Sequence, residues 1–345
     1  MKINYMQTKL KNYTYTRSPG VDPGKMRSFQ RVVSKDGFFL ICALDHLSDF
    51  QELLDPDLTT VDYPRTVEAK LDLIRALSGE VSAFLLDPRF ALGQVIATRA
   101  LPPFMGFMSS IEAEGYHGSD SRVTKLRVGW STRKIKLIGA DVCKLLWFFR
   151  PDSVTADFQR HFLKNLVSEC AGLSLPLVVE PIWYPLEGED PTSSSWKARR
   201  IEGIIESAIE ANSYGIDMLK VEFPGDVSSA TGQANAAEAC QRLDRSIDVP
   251  WVILSAGVSY DSFKKQVEIA CKAGASGYLA GRSIWRDAAS THEPKAKNRA
   301  VADAVARLAE LNVITRANGR PYLPAFNGAD LHETLPDLWY EGWHP

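Results

Sequence analysis

The sequence has few of the features that mark secreted or membrane proteins. Its 345 residues include only five cysteines, which lie far apart and form no C-x-x-C pair. This usage is typical of reduced, mostly buried thiols in a cytoplasmic protein. No N-terminal apolar segment resembles a signal peptide, and no apolar run reaches the length of a transmembrane helix. We therefore expect a cytoplasmic protein with no membrane partner.

Charge and motif content argue against three further classes of function. The formal net charge is −2, which argues against an extensive nucleic-acid-binding surface. No predicted strand is followed by G-x-G-x-x-G, which weakens the case for a dinucleotide cofactor. Of the six histidines, only His46 follows a predicted strand, and with Asp45 and Asp87 it makes a poor ligand set for a metal-dependent enzyme. We expect neither a metal nor a cofactor.

Eight short apolar runs alternate with segments of helical periodicity. This pattern predicts βα units, and eight of them predict a closed α/β barrel of the (β/α)8 or TIM type. We assign residues 1–28 to an N-terminal arm, 29–315 to the barrel and 316–345 to a C-terminal tail that packs on the barrel or on a partner. The runs are Gly37–Leu44, Ala83–Leu86, Pro103–Met108, Ala140–Phe149, Leu175–Ile182, Gly215–Phe223, Val249–Ser255 and Ser276–Ala280.

Polar residues occur in or directly after most of these runs. Catalytic groups of such barrels come from the carboxyl ends of the strands, so residues placed there are candidate site residues. We take His46 and Asp87 among them as candidates for binding substrate. The whole set is Asp45, His46, Asp87, Lys144, Glu180, Lys220, Ser255, Gly257, Gly281 and Arg282.

Two lysines and a glutamate lie on three consecutive predicted strands. Lys144, Glu180 and Lys220 would bring two ammonium groups to one carboxylate, because neighbouring strands are about 4.8 Å apart. A lysine beside another cation can supply the neutral amine that attacks a carbonyl. A carboxylate can then move the protons. The alternative is a structural ion-pair cluster that fills the barrel. Glu222 shares the predicted strand face of Lys220 and has no firm role.

The segments after the last two strands indicate an anion site. LSAGVS (Leu254–Ser259) and AGRSIW (Ala280–Trp285) combine small residues with an arginine. In barrel enzymes the loops at this position frequently bind phosphate. Glycines let backbone N–H groups approach the anion, and Arg282 can bind it with two parallel hydrogen bonds. The alternative is a pair of ordinary tight turns with a surface arginine.

Seven segments, in this order and spacing, resemble the class I tagatose-1,6-bisphosphate aldolases. Relatives of these enzymes include the aldolase that cleaves 6-deoxy-6-sulfofructose 1-phosphate. The resemblance covers about residues 37–290. The segments are ALDH (Ala43–His46), LLDP (Leu85–Pro88), GADVCKLLWF (Gly139–Phe148), VVEPIWY (Val178–Tyr184), DMLKVEFP (Asp217–Pro224), LSAGVS and AGRSIW.

The resemblance implies a role for each matched residue. It implies that Lys220 forms the Schiff base, that Glu180 is the general acid and base, and that Lys144 is a second lysine beside Lys220. Asp45 matches the aspartate that ends the first strand. Relatives form dimers or larger assemblies, which implies a homo-oligomer. The residues matching the site for the C1 phosphate are Ser255, Gly257, Gly281 and Arg282.

One departure concerns the far end of the sugar. The family usually has Asp-Gln-Arg after the first strand, whereas this chain has Asp45-His46-Leu47. A bisphosphate needs a second cationic site, for which Arg89, Lys125 and Arg127 are candidates that the sequence does not rank.

Our hypothesis is a class I aldolase that cleaves a ketose 1-phosphate or 1,6-bisphosphate to dihydroxyacetone phosphate and an aldehyde. A ketose phosphate modified at C6, such as the sulfonate, is an alternative substrate. A phosphosugar isomerase or lyase without a Schiff base, or a non-catalytic sugar-phosphate-binding barrel, is an alternative function.

Overall fold

The computed structural model describes residues 22–114, 122–322 and 341. The first 21 residues and almost all of the C-terminal tail lie outside this part, as do residues 115–121 between the third and fourth strands. Within it, no helix is long and apolar enough to cross a membrane. All five cysteines are buried and free of disulfides.

Eight parallel strands form a closed barrel, as the alternation of runs predicts. Each strand pairs with its neighbours in the sequence, and β8 pairs with β1. The strands are β1 (Phe39–Leu44), β2 (Ala83–Leu86), β3 (Gly106–Ser110), β4 (Val142–Phe148), β5 (Leu177–Ile182), β6 (Met218–Val221), β7 (Trp251–Leu254) and β8 (Gly277–Ala280).

Helices cover the outside of the barrel. The helices are α1 (Pro23–Val32), α2 (Ser48–Leu54), α3 (Tyr63–Leu77), α4 (Leu92–Thr98), α5 (Thr132–Leu137), α6 (Ala156–Ala171), α7 (Ser194–Asn212), α8 (Ala230–Ser246), α9 (Tyr260–Ala273), α10 (Arg282–Ser290) and α11 (Pro294–Asn318). A 3₁₀ turn, Leu58–Thr60, precedes α3. The sequence did not predict the short helices α2, α4 and α10.

Alternation along the strands separates two apolar layers. Met218 belongs to the cluster inside the barrel, whereas Leu219 and Val221 pack in the larger cluster between the strands and the helices. Successive residues of a strand point to opposite faces. Lys220 therefore faces the interior with Met218, as the sequence predicts.

The amino-terminal end of the barrel is closed by α1. Phe29 is fully buried, and its ring lies 5.9 Å from that of Phe39 and 5.1 Å from that of Tyr322. Lys25 forms an ion pair with Asp217 at 2.9 Å. The division at residue 28 cuts through α1, and the one at residue 315 cuts through α11. We propose that both helices belong to the barrel unit.

The third strand begins later than the sequence predicts. Pro103 lies in a turn in which the N–H of Met105 donates to the carbonyl of Pro102 at 3.0 Å. Proline has no N–H for a strand ladder, so pairing starts only at Gly106. The strand consequently runs on to Ser110, which moves the following residues to the carboxyl edge of the barrel.

Candidate active site

A cavity of about 350 Å³ opens at the carboxyl ends of the strands. Its size is in the range of small-molecule sites. The charged and titratable side chains that line it are Asp45, His46, Asp49, Glu112, Glu114, Arg122, Arg127, Lys144, Glu180, Lys220, Glu222 and Arg282.

Two lysines share one carboxylate oxygen at the centre of this cavity. Oε2 of Glu180 lies 2.7 Å from Nζ of Lys144 and 2.9 Å from Nζ of Lys220. The barrel register explains the contact, because Lys144 is paired with Val178 and Val178 with Met218, so the three side chains leave the same inner face. The structure thus brings together the three residues that the sequence placed on consecutive strands.

Lys144 is buried among three carboxylates. Besides Glu180, it contacts Oε1 of Glu112 at 2.5 Å and Oδ2 of Asp45 at 3.4 Å. Burial by itself would lower the pKa of this lysine, but the carboxylates of Glu112, Glu180 and Asp45 outweigh burial and raise it well above its ordinary value. Lys144 therefore stays protonated at neutral pH.

Glu112 is a residue of this cavity that the sequence did not predict. This residue follows β3 by two positions and is buried, with Oε2 lacking a hydrogen-bond partner in the described part of the chain. Its place at a strand end was hidden, because the predicted third run stops at Met108 rather than Ser110. A strand boundary two residues later would have pointed to it.

Two of the carboxylates around the lysines, those of Asp45 and Glu180, are ionised. Burial raises the pKa of a carboxyl group. For Asp45 the positive charge of Lys144 outweighs this effect, and the pKa lies well below its ordinary value. For Glu180 the charges of Lys144 and Lys220 likewise outweigh burial and lower the pKa. Glu180 can accordingly accept a proton from a group in contact with it.

His46 is neutral at physiological pH. Burial lowers its pKa to about 4, with Asp45 acting in the opposite direction and Arg282 in the same direction. Its ring packs edge-on against Trp285 at 5.3 Å. A Cβ atom at position 281 would lie 2.9 Å from its Cε1 atom, so Gly281 leaves the room that this ring needs. His46 can therefore offer an uncharged donor or acceptor to a ligand.

The residues expected to bind phosphate lie close together after β7 and β8. The N–H of Gly281 donates to Oγ of Ser255 at 3.4 Å. Gly257 has a φ of +72°, and a Cβ atom there would lie 3.4 Å from Nε of Arg282. Arg282 is the first residue of α10, whose N-cap is Gly281. Gly281 and Arg282 thus begin a helix, and the positive end of the helix dipole lies at this site.

The guanidinium of Arg282 forms an ion pair with the carboxylate of Asp49. Nη1 of Arg282 lies 2.9 Å from Oδ2 of Asp49, near the start of α2. The pair is partly exposed, with side-chain exposures of 34% and 41%, so a ligand can reach it. The sequence did not predict Asp49, since α2 itself was not predicted.

The structure argues against the prediction that Asp87 binds substrate. Its side chain is fully buried and is not among the cavity lining. Oδ2 contacts Nζ of Lys70 at 2.5 Å, and Oδ1 accepts from the N–H groups of Arg89 and Phe90. Lys70 also donates to the carbonyls of Leu44 at 2.8 Å and of His46 at 2.6 Å. Asp87 therefore supports the end of β1 through Lys70 rather than binding substrate.

Glu222 lines the cavity, and both of its carboxylate oxygens already have partners. Oε1 contacts Arg200 at 2.5 Å, and Oε2 accepts from the N–H of Trp183 at 3.1 Å. Burial raises its pKa in spite of Arg200. Its contacts are those of a residue that holds β6, β5 and α7 together.

Comparison with known proteins places the chain in a family. The model of the DeoC/LacD aldolase family matches residues 51–287. The chain belongs to this family. Like its relatives, this DeoC/LacD aldolase is an aldehyde-lyase. Tagatose 1,6-diphosphate aldolase 1 of Enterococcus faecalis (strain ATCC 700802 / V583) is 27% identical over 278 residues, which cover 76% of this chain and 84% of the relative. Tagatose 1,6-diphosphate aldolase 1 of Streptococcus pyogenes serotype M1 is 26% identical over 320 residues, 86% and 97% of the two chains.

Solved structures share the fold of this DeoC/LacD aldolase. An archaeal fructose-1,6-bisphosphate aldolase, with its catalytic lysine covalently bound to the carbinolamine intermediate of the substrate, superposes with a TM-score of 0.59. It is 20% identical, and the match covers 83% of this chain and 98% of that chain. The fructose-bisphosphate aldolase of Plasmodium falciparum has a TM-score of 0.64 at 14% identity, covering 87% and 96%.

Proposed function

We propose that this protein is a class I aldolase in which Lys220 forms a Schiff base with the ketone of a ketose phosphate. The products are dihydroxyacetone phosphate and an aldehyde. The observation that supports this most directly is the 2.9 Å contact between the buried amine of Lys220 and the ionised Glu180. Nucleophile and proton carrier are within hydrogen-bond reach of each other, as covalent catalysis requires.

The first half of the reaction joins the substrate to the enzyme. Lys220 gives a proton to Glu180, and its free electron pair forms a bond to C2 of the ketose. The nitrogen then passes a second proton to the carbonyl oxygen, which becomes the hydroxyl of a carbinolamine. Glu180 protonates this hydroxyl, the C2–O bond breaks, water leaves, and the nitrogen electron pair forms the second bond to C2 of the iminium. Every proton moved in these steps comes from Lys220, Glu180 or solvent.

The second half breaks the carbon–carbon bond. A base takes the proton of the C4 hydroxyl, C4 becomes the carbonyl of the departing aldehyde, and the electrons of the C3–C4 bond move to the iminium nitrogen. The resulting enamine takes a proton at C3, and water releases dihydroxyacetone phosphate from Lys220. We assign the proton transfers to Glu180. Lys144, held protonated by its three carboxylates, polarises the substrate oxygens.

We propose that the phosphate of the released triose binds after β7 and β8. We propose that Ser255, Gly257 and Gly281 contribute hydrogen-bond donors and that Arg282 supplies the charge. A phosphate at the start of α10 would displace Asp49 from the guanidinium of Arg282. The substrate is then a ketose 1-phosphate, a 1,6-bisphosphate as in the names of the relatives, or a C6-modified ketose 1-phosphate.

Trapping the intermediate tests this proposal. The protein is mixed with dihydroxyacetone phosphate, reduced with borohydride, digested and mapped by mass spectrometry. We expect a stable adduct on Lys220 and loss of activity in proportion to it. Lys125, exposed at the same end of the barrel, is the internal control and should stay unmodified. A protein that cleaves ketose phosphates and yet shows no adduct at Lys220 would rule out the Schiff base.

A further inference from the structure

Two arginines line the cavity from the segment that leads towards β4. The side chain of Arg122 donates to no residue in the described part of the chain and forms no ion pair there. Its guanidinium carbon lies 5.3 Å from the ring of Phe148 and 5.7 Å from that of Tyr184. Nε of Arg122 is buried and has no hydrogen-bond partner within residues 22–114 and 122–322. The two rings hold this cation by cation–π contacts, while no acceptor in the described part of the chain takes its side-chain N–H groups.

Arg127 is also short of partners. Its Nη2 donates to the carbonyl of Glu112 at 3.2 Å, and its Nε is buried without a partner among the described residues. An arginine has five N–H donors, and buried donors without acceptors are costly. Two other arginines at this end of the barrel are paired, Arg282 with Asp49 and Arg200 with Glu222. Arg122 and Arg127 therefore form a cationic wall that has no anionic partner among the described residues.

The backbone of this wall is held in place. The N–H of Ala113 donates to the carbonyl of Lys125 at 2.8 Å, and the N–H of Arg127 donates to that of Ile111 at 2.9 Å. Oγ1 of Thr124 accepts from the N–H of Phe148 at 3.0 Å. A site whose groups are already ordered loses less entropy when it binds a ligand.

The wall faces the phosphate site across the barrel. Arg122 packs on Phe148 at the end of β4, whereas Arg282 follows β8. In a closed ring of eight strands in sequential order, β4 and β8 are opposite. Lys220, on β6, lies between them. A ketose whose C1 phosphate binds at Arg282 and whose C2 reaches Lys220 therefore extends towards Arg122 and Arg127.

We propose that Arg122 and Arg127 form a second anion subsite, which binds a tetrahedral oxyanion on C6 of the ketose. This inference rests on the proposed function, since it assumes that C2 reacts at Lys220. Guanidinium groups bind such anions with paired, charge-assisted hydrogen bonds. A phosphate ester and a sulfonate are both tetrahedral anions whose oxygens can accept such hydrogen bonds. The structure also ranks the sequence candidates, because Arg127 lines the cavity whereas Arg89 and Lys125 are not among its lining residues.

Three substrates and three variants test the subsite. The substrates are a ketose 1-phosphate, the corresponding 1,6-bisphosphate and the corresponding 6-deoxy-6-sulfonate 1-phosphate. The variants are Arg122→Gln, Arg127→Gln and, as the matched control, the exposed Arg89→Gln. We expect wild type to prefer one of the two 6-anionic compounds. In each cavity variant the KM for that compound should rise about ten- to hundredfold. The KM for the plain 1-phosphate should change less than about twofold, and Arg89→Gln should match wild type.

The outcomes separate the subsite from the proposed chemistry. Preference for the bisphosphate identifies a phosphate, and preference for the sulfonate identifies a sulfonate. If wild type forms the borohydride adduct at Lys220 but handles all three substrates equally, the subsite is wrong and the aldolase stands. If wild type cleaves none of them, the proposed function fails. Calorimetry with the bisphosphate then decides the subsite, and equal affinity of wild type and the double variant Arg122→Gln/Arg127→Gln overturns it.

Discussion

The amine nitrogen of Lys220 lies 2.9 Å from Oε2 of Glu180, an oxygen that also contacts Lys144. The two lysines have different surroundings, because Lys144 meets three carboxylates and Lys220 forms one ion pair among the described residues. The surplus of negative charge keeps Lys144 protonated. Lys220 contacts one carboxylate where Lys144 contacts three, so its amine is bound by fewer groups, which suits a nucleophile.

The first prediction concerns Lys220→Arg. Arginine keeps the positive charge and the ion pair with Glu180, but it cannot form an imine with a ketone. We expect the rate of ketose phosphate cleavage to fall at least about 10³-fold, as for loss of a nucleophile. The measurement is a coupled assay of triose phosphate release. The control is Lys125→Arg at an exposed position, which should keep the wild-type rate. Substantial activity in Lys220→Arg would favour the isomerase or lyase alternative.

The second prediction concerns Lys144→Met and its dependence on pH. Methionine leaves Asp45, Glu112 and Glu180 close together without their main cation. At neutral pH we expect a loss of about 3–5 kcal/mol in the free energy of unfolding, the usual cost of breaking a buried pair. The deficit should shrink near about pH 5, because carboxylates that lack the cation take up protons more readily.

The sign follows from the pKa directions. In wild type the lowered pKa values of Asp45 and Glu180 give stability above their unfolded values, which is lost as the pH falls through the native values. The raised pKa of Lys144 gives stability below its unfolded value, which is lost only as the pH rises through the native one. Urea unfolding of wild type, Lys144→Met and the exposed control Lys125→Met at both pH values measures the difference. A deficit that grows towards low pH would contradict it.

The sequence predicts the barrel and its central contact for simple reasons. Apolar runs identify the strands, and the strand period of two puts Met218 and Lys220 on one face. Strand order then brings Lys144, Glu180 and Lys220 into contact, and this prediction does not depend on the conformation of the loops. The positions of Ser255 and Arg282 follow from the same rule, since they lie just after the neighbouring strands β7 and β8.

The site features that the sequence does not predict depend on contacts between residues that are far apart in the chain. Glu112 was missed because the prolines before β3 shift the strand by two or three residues. Asp87 was predicted as a site residue because it directly follows β2. In the structure its carboxylate forms a buried ion pair with Lys70 of α3 and does not line the cavity. A buried lysine on a helix has no signature in the sequence. Arg122 stands out only when it is known that its side chain meets no hydrogen-bond acceptor among the described residues.

The third prediction concerns His46→Gln. The pKa of His46 is lowered to about 4, so the native state stays neutral while the unfolded state takes up a proton below about pH 6.5. Wild-type stability should therefore fall as the pH drops from about 6.5 towards 4, by up to about 3 kcal/mol from this residue. Glutamine does not titrate, so the variant should lose less stability over the same range. The groups that face His46 are Asp45, Arg282, Lys220 and Lys70.

Urea unfolding at several pH values measures this difference. His161 lies exposed on α6 and has only a local contact with a backbone carbonyl at 2.8 Å, so His161→Gln is the matched control. Its pH dependence should follow wild type. Parallel curves for wild type and His46→Gln would show that the native histidine takes up its proton as readily as the unfolded one.

The fourth prediction concerns Asp49→Asn. The Asp49 carboxylate and a phosphate on C1 would compete for the guanidinium of Arg282. The pair is partly exposed, and such pairs contribute about 0–1 kcal/mol, so the variant should fold with nearly wild-type stability. With the competitor removed, the inhibition constant for inorganic phosphate and the KM for a ketose 1-phosphate should fall about two- to fivefold.

Steady-state kinetics with phosphate as inhibitor gives both constants for Asp49→Asn. Asp72→Asn is the matched control, because Asp72 also pairs with an arginine at the surface, Arg75 on the same helix, and does not line the cavity. It should leave both constants unchanged. A higher KM in Asp49→Asn would show that the carboxylate orients Arg282 for phosphate. The residue would then help to build the anion site rather than compete with its ligand, and Arg282 would need that partner throughout the reaction.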